Sequence, residues 1–516
     1  MRFLLGLLLI LGTAPGVRAA GVRSDTAFQK AESLTREGAR LLEGNSLDAA
    51  RLKLEEALKF NPGLAGAHYL LGVLFEQKGE LRSAAAAYGN ALRYSPGMAE
   101  AHDRLGFVLG QEGRARDAVR QFETAVGLKP SFFDAQYHLG ATLWWLKDPE
   151  KALAPLKSAV RLRPEHAEAR YYLGLALKQR DLGEAIDQLR RVTNLNPRFA
   201  AAYTQLGSAL QESGDLESAV EVLQKAVELD PSAVDAVEAL GLVLIQRGDA
   251  EKALATFESL VKAHPESAAA RHNLGTALLQ KGDIEGAIGI YRELTRAAPE
   301  NAEAHYNLAV ALKQKDEFQN AETELRTAVA LDPSLPEARY TLGVVLWQTA
   351  RGEEAIEAFR AAIARRPEYA EAHYMLGTIL RQQGKIQDAV AEFRQTIRYR
   401  PDSAEAYLSL GQSLRRMSDD AGADEALARA EKLNKKKADS QAASFALSAG
   451  IENLKKGDLP VALEKLREAV NLAPDMSMAH YQFALALQKA GREEDARIQF
   501  EEARRLAPNL RARKLK

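Results

Sequence analysis

Residues 370–403 read AEAHYMLGTILRQQGKIQDAVAEFRQTIRYRPDS, and most of the 516-residue chain repeats this 34-residue pattern. A proline stands at place 32 of the pattern, and prolines recur 34 residues apart, with one interval of 33. They are Pro62, Pro96, Pro130, Pro164, Pro197, Pro231, Pro265, Pro299, Pro333, Pro367 and Pro401, and Pro474 and Pro508 resume the spacing. A fixed spacing of this length indicates a repeat architecture, with fourteen repeats running from Ala31 to Leu510.

Within each repeat the same places hold side chains of the same size. Leucine and glycine fill places 7 and 8, as Leu376 and Gly377 do, while a small residue fills place 20 and a large one place 24, as Ala389 and Phe393 do. Such spacings put apolar residues on one face of a helix, and a glycine such as Gly384 marks the turn between two helices. Each repeat is therefore predicted to be a pair of amphipathic helices that cross at the small residues.

One helix pair cannot cover its own apolar face, so neighbouring repeats must stack and share a continuous core. The composition agrees with a soluble protein, since 46% of the residues are hydrophobic and 27% are charged. The 69 basic residues balance 70 acidic ones, so no nucleic-acid partner is expected. Cysteine is absent, which excludes disulfides, thiolate metal sites and a cysteine nucleophile.

The leucine, glycine, alanine and proline places resemble those of the tetratricopeptide repeat family, over about 480 of the 516 residues. The resemblance implies an all-α fold: a right-handed superhelical α-solenoid of about fourteen helical hairpins, whose first helices line an inner groove. One departure concerns the aromatic residue that the family often has at place 4. Histidine or arginine mostly replaces it here, at His68, His102, Arg170, Arg271, His305, Arg339, His373 and His480.

Residues 1–19 are predicted to be a signal peptide. Arg2 precedes an apolar run over residues 3–11, and Val17 and Ala19 are the small residues before a cut after Ala19. The apolar run is far shorter than the ~20 residues that a membrane-spanning helix needs. Export to a periplasm or to the outside of the cell is therefore expected, and no transmembrane segment is predicted.

The remaining boundaries follow the repeat. A short lead-in at 20–30 precedes repeats 1–12 at 31–437, and repeats 13 and 14 occupy 443–510, before a basic tail at 511–516. Between them the period slips by five residues at 438–442, and Lys435 replaces the closing proline. Either the two blocks of repeats move separately, or one lengthened helix with a solvated lysine end joins them. A turn residue is also missing near 180–183, and Pro155 falls inside a second helix, where a cost of ~3 kcal/mol or a kink is expected.

No catalytic motif stands out from the repeat, so neither an enzymatic activity nor a cofactor is expected. Five histidines share place 4, which sets neighbouring ones a hairpin apart, on the order of 10 Å. That separation is too large for one metal ion, whose nitrogen ligands lie at ~2 Å. These histidines are interpreted as packing residues, and no metal site is predicted.

The candidate partner-binding residues occupy places that resemble the groove-lining places of the family. They are Trp144, Trp145 and Trp347 at places 12 and 13, Tyr69, Tyr137, Tyr171, Tyr306, Tyr340 and Tyr374 at place 5, and Asn273 and Asn307 at place 6. Glutamine also recurs at place 13. Because large amphipathic side chains dominate interface energies, this pattern favours a groove for a peptide or protein partner. The tyrosines equally fit an interpretation in which they brace adjacent hairpins.

Two functions remain open at this point. The first is a protein–protein interaction scaffold or adaptor that binds peptide or protein partners in the groove. The second is a structural spacer and docking subunit of an envelope assembly, such as polysaccharide export or outer-membrane biogenesis. Acids at place 2, such as Glu371, do not decide between them. Each lies in the first turn of a helix, where a negative charge is favoured by ~0.3–1 kcal/mol.

Overall fold

The computed structural model describes residues 22–507, which form twenty-seven α-helices and no strand. In chain order these are α1 (Val22–Glu43), α2 (Leu47–Phe60), α3 (Ala65–Gln77), α4 (Leu81–Tyr94), α5 (Ala99–Gln111), α6 (Ala115–Leu128), α7 (Phe133–Trp145), α8 (Pro149–Leu162), α9 (Ala167–Leu177), α10 (Leu182–Leu195), α11 (Ala200–Glu212), α12 (Leu216–Leu229), α13 (Val234–Arg247), α14 (Ala250–Ala263), α15 (Ala268–Lys281), α16 (Ile284–Ala297), α17 (Ala302–Gln314), α18 (Phe318–Leu331), α19 (Pro336–Gln348), α20 (Gly352–Arg365), α21 (Ala370–Gln382), α22 (Ile386–Tyr399), α23 (Ala404–Arg416), α24 (Asp420–Lys456), α25 (Leu459–Leu472), α26 (Ser477–Lys489) and α27 (Glu493–Leu506).

The predicted all-α fold of consecutive helix pairs is confirmed. Helices α3 and α4, for example, are the two halves of repeat 2, and they pack directly against each other. Helix α1 begins at Val22, so part of the predicted lead-in is helical. The predicted signal peptide at 1–19 and the basic tail at 511–516 lie outside the described residues.

The described chain forms two compact parts, one ending at Arg247 and the other beginning at Gly248. The boundary falls between the two helices of repeat 7. Within each part, each helix packs against the helices next to it in the chain, and first helices of neighbouring repeats also touch, as α5 and α7 do. Within each part the first helices therefore contribute to a shared face, and we call these faces the first-helix surface.

Glycine at place 8 marks the closest approach of the two helices of a repeat. A Cβ atom added at Gly72 would lie 2.4 Å from Tyr88 Cε1, and one added at Gly106 would lie 2.7 Å from Phe122 Cε1. Place 8 therefore leaves room for the large residue at place 24, and Tyr88 is fully buried there. Ala84 at place 20 is also fully buried, as expected for the helix crossing.

The turn between the two helices needs a left-handed residue at place 15. Glycine supplies it at Gly79, Gly113, Gly214, Gly248, Gly282, Gly384, Gly457 and Gly491, and a non-glycine residue supplies it at Asn45, Lys147, Asp316, Ala350 and Ser418. Repeat 5 lacks this residue, and its first helix, α9, has only 11 residues. The missing turn residue therefore shortens a helix.

Replacing Ala350 by glycine is expected to stabilise the protein. Ala350 has a φ of 61°, and a non-glycine residue in this region costs on the order of 1 kcal/mol. The matched control is Gly384→Ala in the next repeat, where φ is 80° and the same cost is introduced. Urea unfolding should move the midpoint up for the first variant and down for the second. Equal shifts in one direction would contradict this interpretation of place 15.

Polar residues at place 4 attach nine of the repeats to the loop before them. His68 Nε2 lies 2.9 Å from the Pro62 carbonyl oxygen, and Arg339 Nη2 donates to the Pro333 carbonyl at 3.1 Å. The same contact, six residues back, is made by His102, Gln136, Arg170, Arg271, His305, His373 and His480. Because a carbonyl can only accept, these nine residues each contribute a donor, which explains their departure from the aromatic residue of the family.

The opposite ring nitrogen of His373 faces a carboxylate. Its Nδ1 lies 2.6 Å from Glu392 Oε2, on the second helix of the same repeat. Burial lowers the pKa of His373, but the hydrogen bonds to Glu392 and to the Pro367 carbonyl, with the charge of Glu392, outweigh it and raise the pKa above its ordinary value. The charged form of His373 is therefore favoured in the folded protein.

This pKa shift predicts a pH-dependent contribution to stability. A group whose pKa is raised in the folded state contributes its full stabilisation below the unfolded-state pKa, which is about 6.5 for histidine. This contribution to the free energy of unfolding is lost as the pH rises through the folded-state pKa. Glu392→Gln should therefore cost more free energy of unfolding near pH 5.5 than near pH 8.5, values about one to two units either side of the unfolded-state pKa. Urea titrations at both pH values measure this difference. In a His373→Gln background the difference should vanish, and its persistence would assign the effect to another group.

Pro155 lies buried inside α8, and the helix continues from Pro149 to Leu162. Pro155 therefore does not end the helix, and its cost in stability stays a prediction.

Helix α24 runs without interruption through the predicted break at 438–442. Its 37 residues replace both the second helix of repeat 12 and the first helix of repeat 13. Ala423 and Ala430 are buried in its first half, whereas Ala443 and Gly450 are buried in its second half. At about 100° per residue these two sets lie on roughly opposite sides of the helix. The structure thus has the lengthened helix, and separate movement of the two blocks stays a prediction.

Phe445, on this helix, is 79% exposed. It occupies place 3 of repeat 13, where repeats 2–12 and 14 all have a buried alanine. These are Ala67, Ala101, Ala135, Ala169, Ala202, Ala236, Ala270, Ala304, Ala338, Ala372, Ala406 and Ala479. Repeat 13 therefore lacks the close neighbour that covers place 3 elsewhere.

Candidate partner-binding site

The most prominent feature of the first-helix surface is a cluster of four aromatic residues in repeats 4 and 5. Tyr137, Trp144 and Trp145 come from α7, and Tyr172 comes from α9; we call these four residues the aromatic patch. The ring centroid of Trp144 lies 5.2 Å from that of Trp145 and 5.6 Å from that of Tyr172. The ring centroids of Tyr137 and Tyr172 are 6.1 Å apart. The patch is therefore continuous across two repeats.

Trp145 is the exposed member of the patch. Trp145 is 64% exposed, whereas the other three residues are partly buried. Its indole Nε1 donates to the Tyr172 hydroxyl oxygen at 3.2 Å, which fixes the ring although little of it is buried. Lys147 places its Nζ 5.9 Å from the centre of the Trp144 ring. An ordered indole with open faces is available for a partner.

The tyrosines at place 5 pack on other aromatic residues, including the residue that closes their repeat. Tyr340 lies 5.0 Å from Tyr369, and Tyr171 lies 4.9 Å from Phe199, measured between ring centroids. Burial raises the pKa of Tyr171 to about 12. Tyr69, Tyr137, Tyr306 and Tyr340 also have raised pKa values caused mainly by burial, and Tyr374 packs on Phe393. These contacts favour the bracing interpretation, and a direct role in binding stays a prediction.

Trp347 occupies the second compact part of the chain. It is partly buried against the core there, and its Nε1 lies 3.5 Å from Gln382 Oε1 of the next repeat. Trp347 therefore has a packing role, in contrast to the exposed ring of Trp145. Its participation in a groove is a separate prediction from that of the aromatic patch.

The two asparagines at place 6 are partly buried. Asn307 Nδ2 lies 3.1 Å from His272 Nδ1 on the first helix of the preceding repeat. Asn273 lies on that same helix, α15. The Asn307 amide therefore links two first helices, and peptide binding by either asparagine stays a prediction.

Three residues on this surface escaped the sequence pattern. Tyr172 stands at place 6, the place that Asn273 and Asn307 hold in repeats 8 and 9 and that resembles a groove-lining place of the family. Asp103, only 2% exposed, lies 2.8 Å from His138 Nδ1 of the next repeat. The contact between His138 and Asp103 joins place 6 of one repeat to place 5 of the repeat before it, 35 residues away in the chain. An alignment of neighbouring repeats could have predicted contacts of this kind.

The acids at place 2 face their own repeat. Lys129 Nζ lies 2.8 Å from Glu100 Oε1, and Arg400 pairs with Glu371. The basic partner is the residue just before the closing proline in both cases. These ion pairs and the position at a helix N-terminus explain why acids recur at place 2. A basic ligand is not needed to explain them.

The described residues, 22–507, contain no group of three histidine or acidic side chains placed to hold a metal ion. Across the same range, none of the helices combines the length and the apolar character needed to cross a membrane.

A stack of consecutive helix pairs defines the class of helical-repeat proteins. The model of the tetratricopeptide repeat family matches residues 35–99, 104–164, 146–197, 175–234, 204–268, 238–302, 272–336, 306–373, 340–386, 374–443 and 447–510. The chain therefore belongs to the tetratricopeptide repeat family. Proteins of this family are generally non-enzymatic scaffolds for protein interactions.

Several solved structures resemble this chain. The crystal structure of YrrB, described as a TPR protein with an unusual peptide-binding site, is 30% identical, covers 36% of this chain and 96% of its own, and gives a TM-score of 0.35. MamA is 30% identical over 32% of this chain and 96% of its own, with a TM-score of 0.31. The pilF protein of Pseudomonas aeruginosa is 21% identical over 42% and 97%, with a TM-score of 0.37. Among curated proteins, none matches the sequence.

Proposed function

We propose that this protein is an exported scaffold that holds a peptide or protein partner in a groove formed by the first-helix surface. The observation that carries the proposal is Trp145, an indole that is 64% exposed yet held in place by the Tyr172 hydroxyl. Exposed tryptophans of this kind are typical anchors of interfaces, because they bury a large area and have few rotamers to lose. No catalytic role is proposed.

The neighbours of Trp145 suit this role. The ring of Trp144 stands edge-on to that of Trp145, with an interplanar angle of 80°. It also stands edge-on to the ring of Tyr172, with an angle of 63°. The patch therefore presents rings in several orientations over a short stretch. A partner residue inserted there would be shielded from water on more than one side, as the centre of an interface requires.

Export is part of the proposal and rests on the predicted signal peptide at 1–19. A precursor that carries residues 1–19 should be shortened after Ala19 when it is expressed in its native host. Mass spectrometry of the purified N-terminus tests this cleavage, and a mature chain that still begins at Met1 would remove export from the proposal.

A second function, a spacer and docking subunit of an envelope assembly such as polysaccharide export or outer-membrane biogenesis, has support in α24. A helix of 37 residues spans about 55 Å, and its Lys435 and Lys437 are exposed. A spacer depends on length, whereas a scaffold depends on its recognition surface. The two functions therefore respond differently to point substitutions.

Affinity capture with the mature chain separates them. A partner retained by the wild-type protein from its native envelope fraction should be lost with Trp145→Ala and kept with Trp347→Phe. Truncation of a hot-spot aromatic residue costs about 2 kcal/mol or more, which is roughly a thirtyfold loss of affinity. Retention by Trp145→Ala, with loss after deletion of a whole repeat, would favour the spacer.

A further inference from the structure

We propose that the aromatic patch binds a proline-rich segment of the partner in an extended, polyproline-type conformation. This inference rests on the proposed function, because it names the ligand of the same groove. It is carried by three properties of the patch: its ring faces, the use of its polar groups, and the spacing of the helices that supply it.

The exposed ring offers an apolar face. The only hydrogen-bonding group of a tryptophan side chain is the indole N–H. In Trp145, which is 64% exposed, that group already donates to Tyr172 Oη at 3.2 Å, so the exposed part of the side chain presents ring carbon. A ligand that contributes flat apolar rings, such as pyrrolidine rings, matches this surface.

The polar groups around the rings include donors. The Tyr172 hydroxyl accepts from Trp145 and keeps its own proton to donate. Gln111 and Gln179, at place 13 of the repeats before and after Trp145, are exposed and carry amide N–H groups. A proline-rich chain has backbone carbonyls but lacks N–H groups at each proline. Its backbone carbonyls therefore meet donors at this patch.

The spacing of the helices agrees with the same ligand. The first helices α5 and α7, and then α7 and α9, are in contact, and packed helices lie about 8–10 Å apart. A polyproline helix repeats every three residues, or about 9 Å along its axis. Residues at place 13 of successive repeats therefore meet equivalent positions of such a ligand. Because this conformation is already populated in the free chain, little conformational entropy is lost on binding.

Room for the ligand exists on one side of the patch. Gly110 occupies place 12 of repeat 3, the place that Trp144 holds in repeat 4, and it is exposed. A Cβ atom added at Gly110 would meet only Ala118 Cβ, at 3.9 Å. The preceding repeat therefore has no side chain at the place that corresponds to Trp144.

The test is a binding titration of the mature full chain with a fluorescein-labelled ten-residue oligoproline, followed by fluorescence anisotropy. A glycine–serine peptide of equal length is the control ligand. We expect saturable binding of the oligoproline, about tenfold or more weaker binding with Trp145→Ala, and partial recovery with Trp145→Phe, which restores a ring. Trp145→Ala is expected to fold normally because the side chain is exposed, and circular dichroism verifies this.

The three tryptophans of the chain allow a second readout. In a Trp347→Phe variant Trp144 and Trp145 are the tryptophans that remain, so the oligoproline should change the tryptophan fluorescence and the glycine–serine peptide should not. Equal oligoproline affinity for the wild-type protein and Trp145→Ala would overturn the inference.

Failure of the inference can be told apart from failure of the proposed function. If the oligoproline does not bind while capture of the native partner still requires Trp145, the ligand class is wrong and the groove scaffold stands. If the oligoproline does not bind and capture is also independent of Trp145, both are wrong.

Discussion

Gly72→Ala is expected to lower the free energy of unfolding by ~1–3 kcal/mol, the cost of overpacking a core. The added methyl group would lie 2.4 Å from Cε1 and 2.5 Å from Cδ1 of Tyr88. Tyr88 cannot easily turn away, because it is fully buried and its hydroxyl donates to Glu76 Oε2 at 2.7 Å. The two helices of repeat 2 must therefore move apart. Urea unfolding followed by circular dichroism measures the change.

Gly89→Ala in the same repeat is the matched control. Gly89 lies inside α4, and a Cβ atom there would have no neighbour within 4 Å. Alanine favours a helix over glycine by about 1 kcal/mol, so this variant should be stabilised. If both variants shift stability in the same direction, the close helix crossing at place 8 does not determine which residue is tolerated there.

Ala406→Phe is expected to be the second large effect, again ~1–3 kcal/mol of destabilisation or more. Ala406 occupies place 3 of repeat 12 and is fully buried, at 0% exposure. A phenyl ring there would need several displaced neighbours. Thermal and urea unfolding should both report the loss.

The reverse substitution, Phe445→Ala, is the control for place 3. Because Phe445 is 79% exposed, its removal should change stability by no more than about 0.5 kcal/mol, the usual range for surface positions. A loss as large as that of Ala406→Phe would mean that Phe445 is covered in solution, and that repeat 13 packs against a neighbour after all.

Much of the fold could be predicted because its determinants are local. Leu376, Gly377 and Pro401 mark the core face, the helix crossing and the end of a repeat, and their spacing alone gives the helix pair. The path through 438–442 could not be decided in this way. Lys435 removes the proline that would stop a helix, but a five-residue slip fits either a longer helix or a loop.

The candidate site was less predictable because it depends on contacts between repeats. Trp145 and Trp347 look alike in the sequence, since both stand at place 12 or 13. Their surroundings differ: Trp145 is open to solvent, whereas Trp347 packs on the core of the second compact part. The place-4 residues show the opposite case. These residues lie six positions after a proline and contact its carbonyl. Because that spacing is constant, the contact could have been predicted from the sequence.

The central claim is that the first-helix surface, at the aromatic patch, is where a partner binds. Site-specific photo-crosslinking in the native host tests it most directly, with p-benzoylphenylalanine placed at Trp145 in one strain and at Lys151 in another. Lys151 lies on the second helix of the same repeat, and its side chain is 74% exposed. We predict a crosslinked partner from position 145 and none from position 151. Crosslinks from position 151 alone would contradict the account.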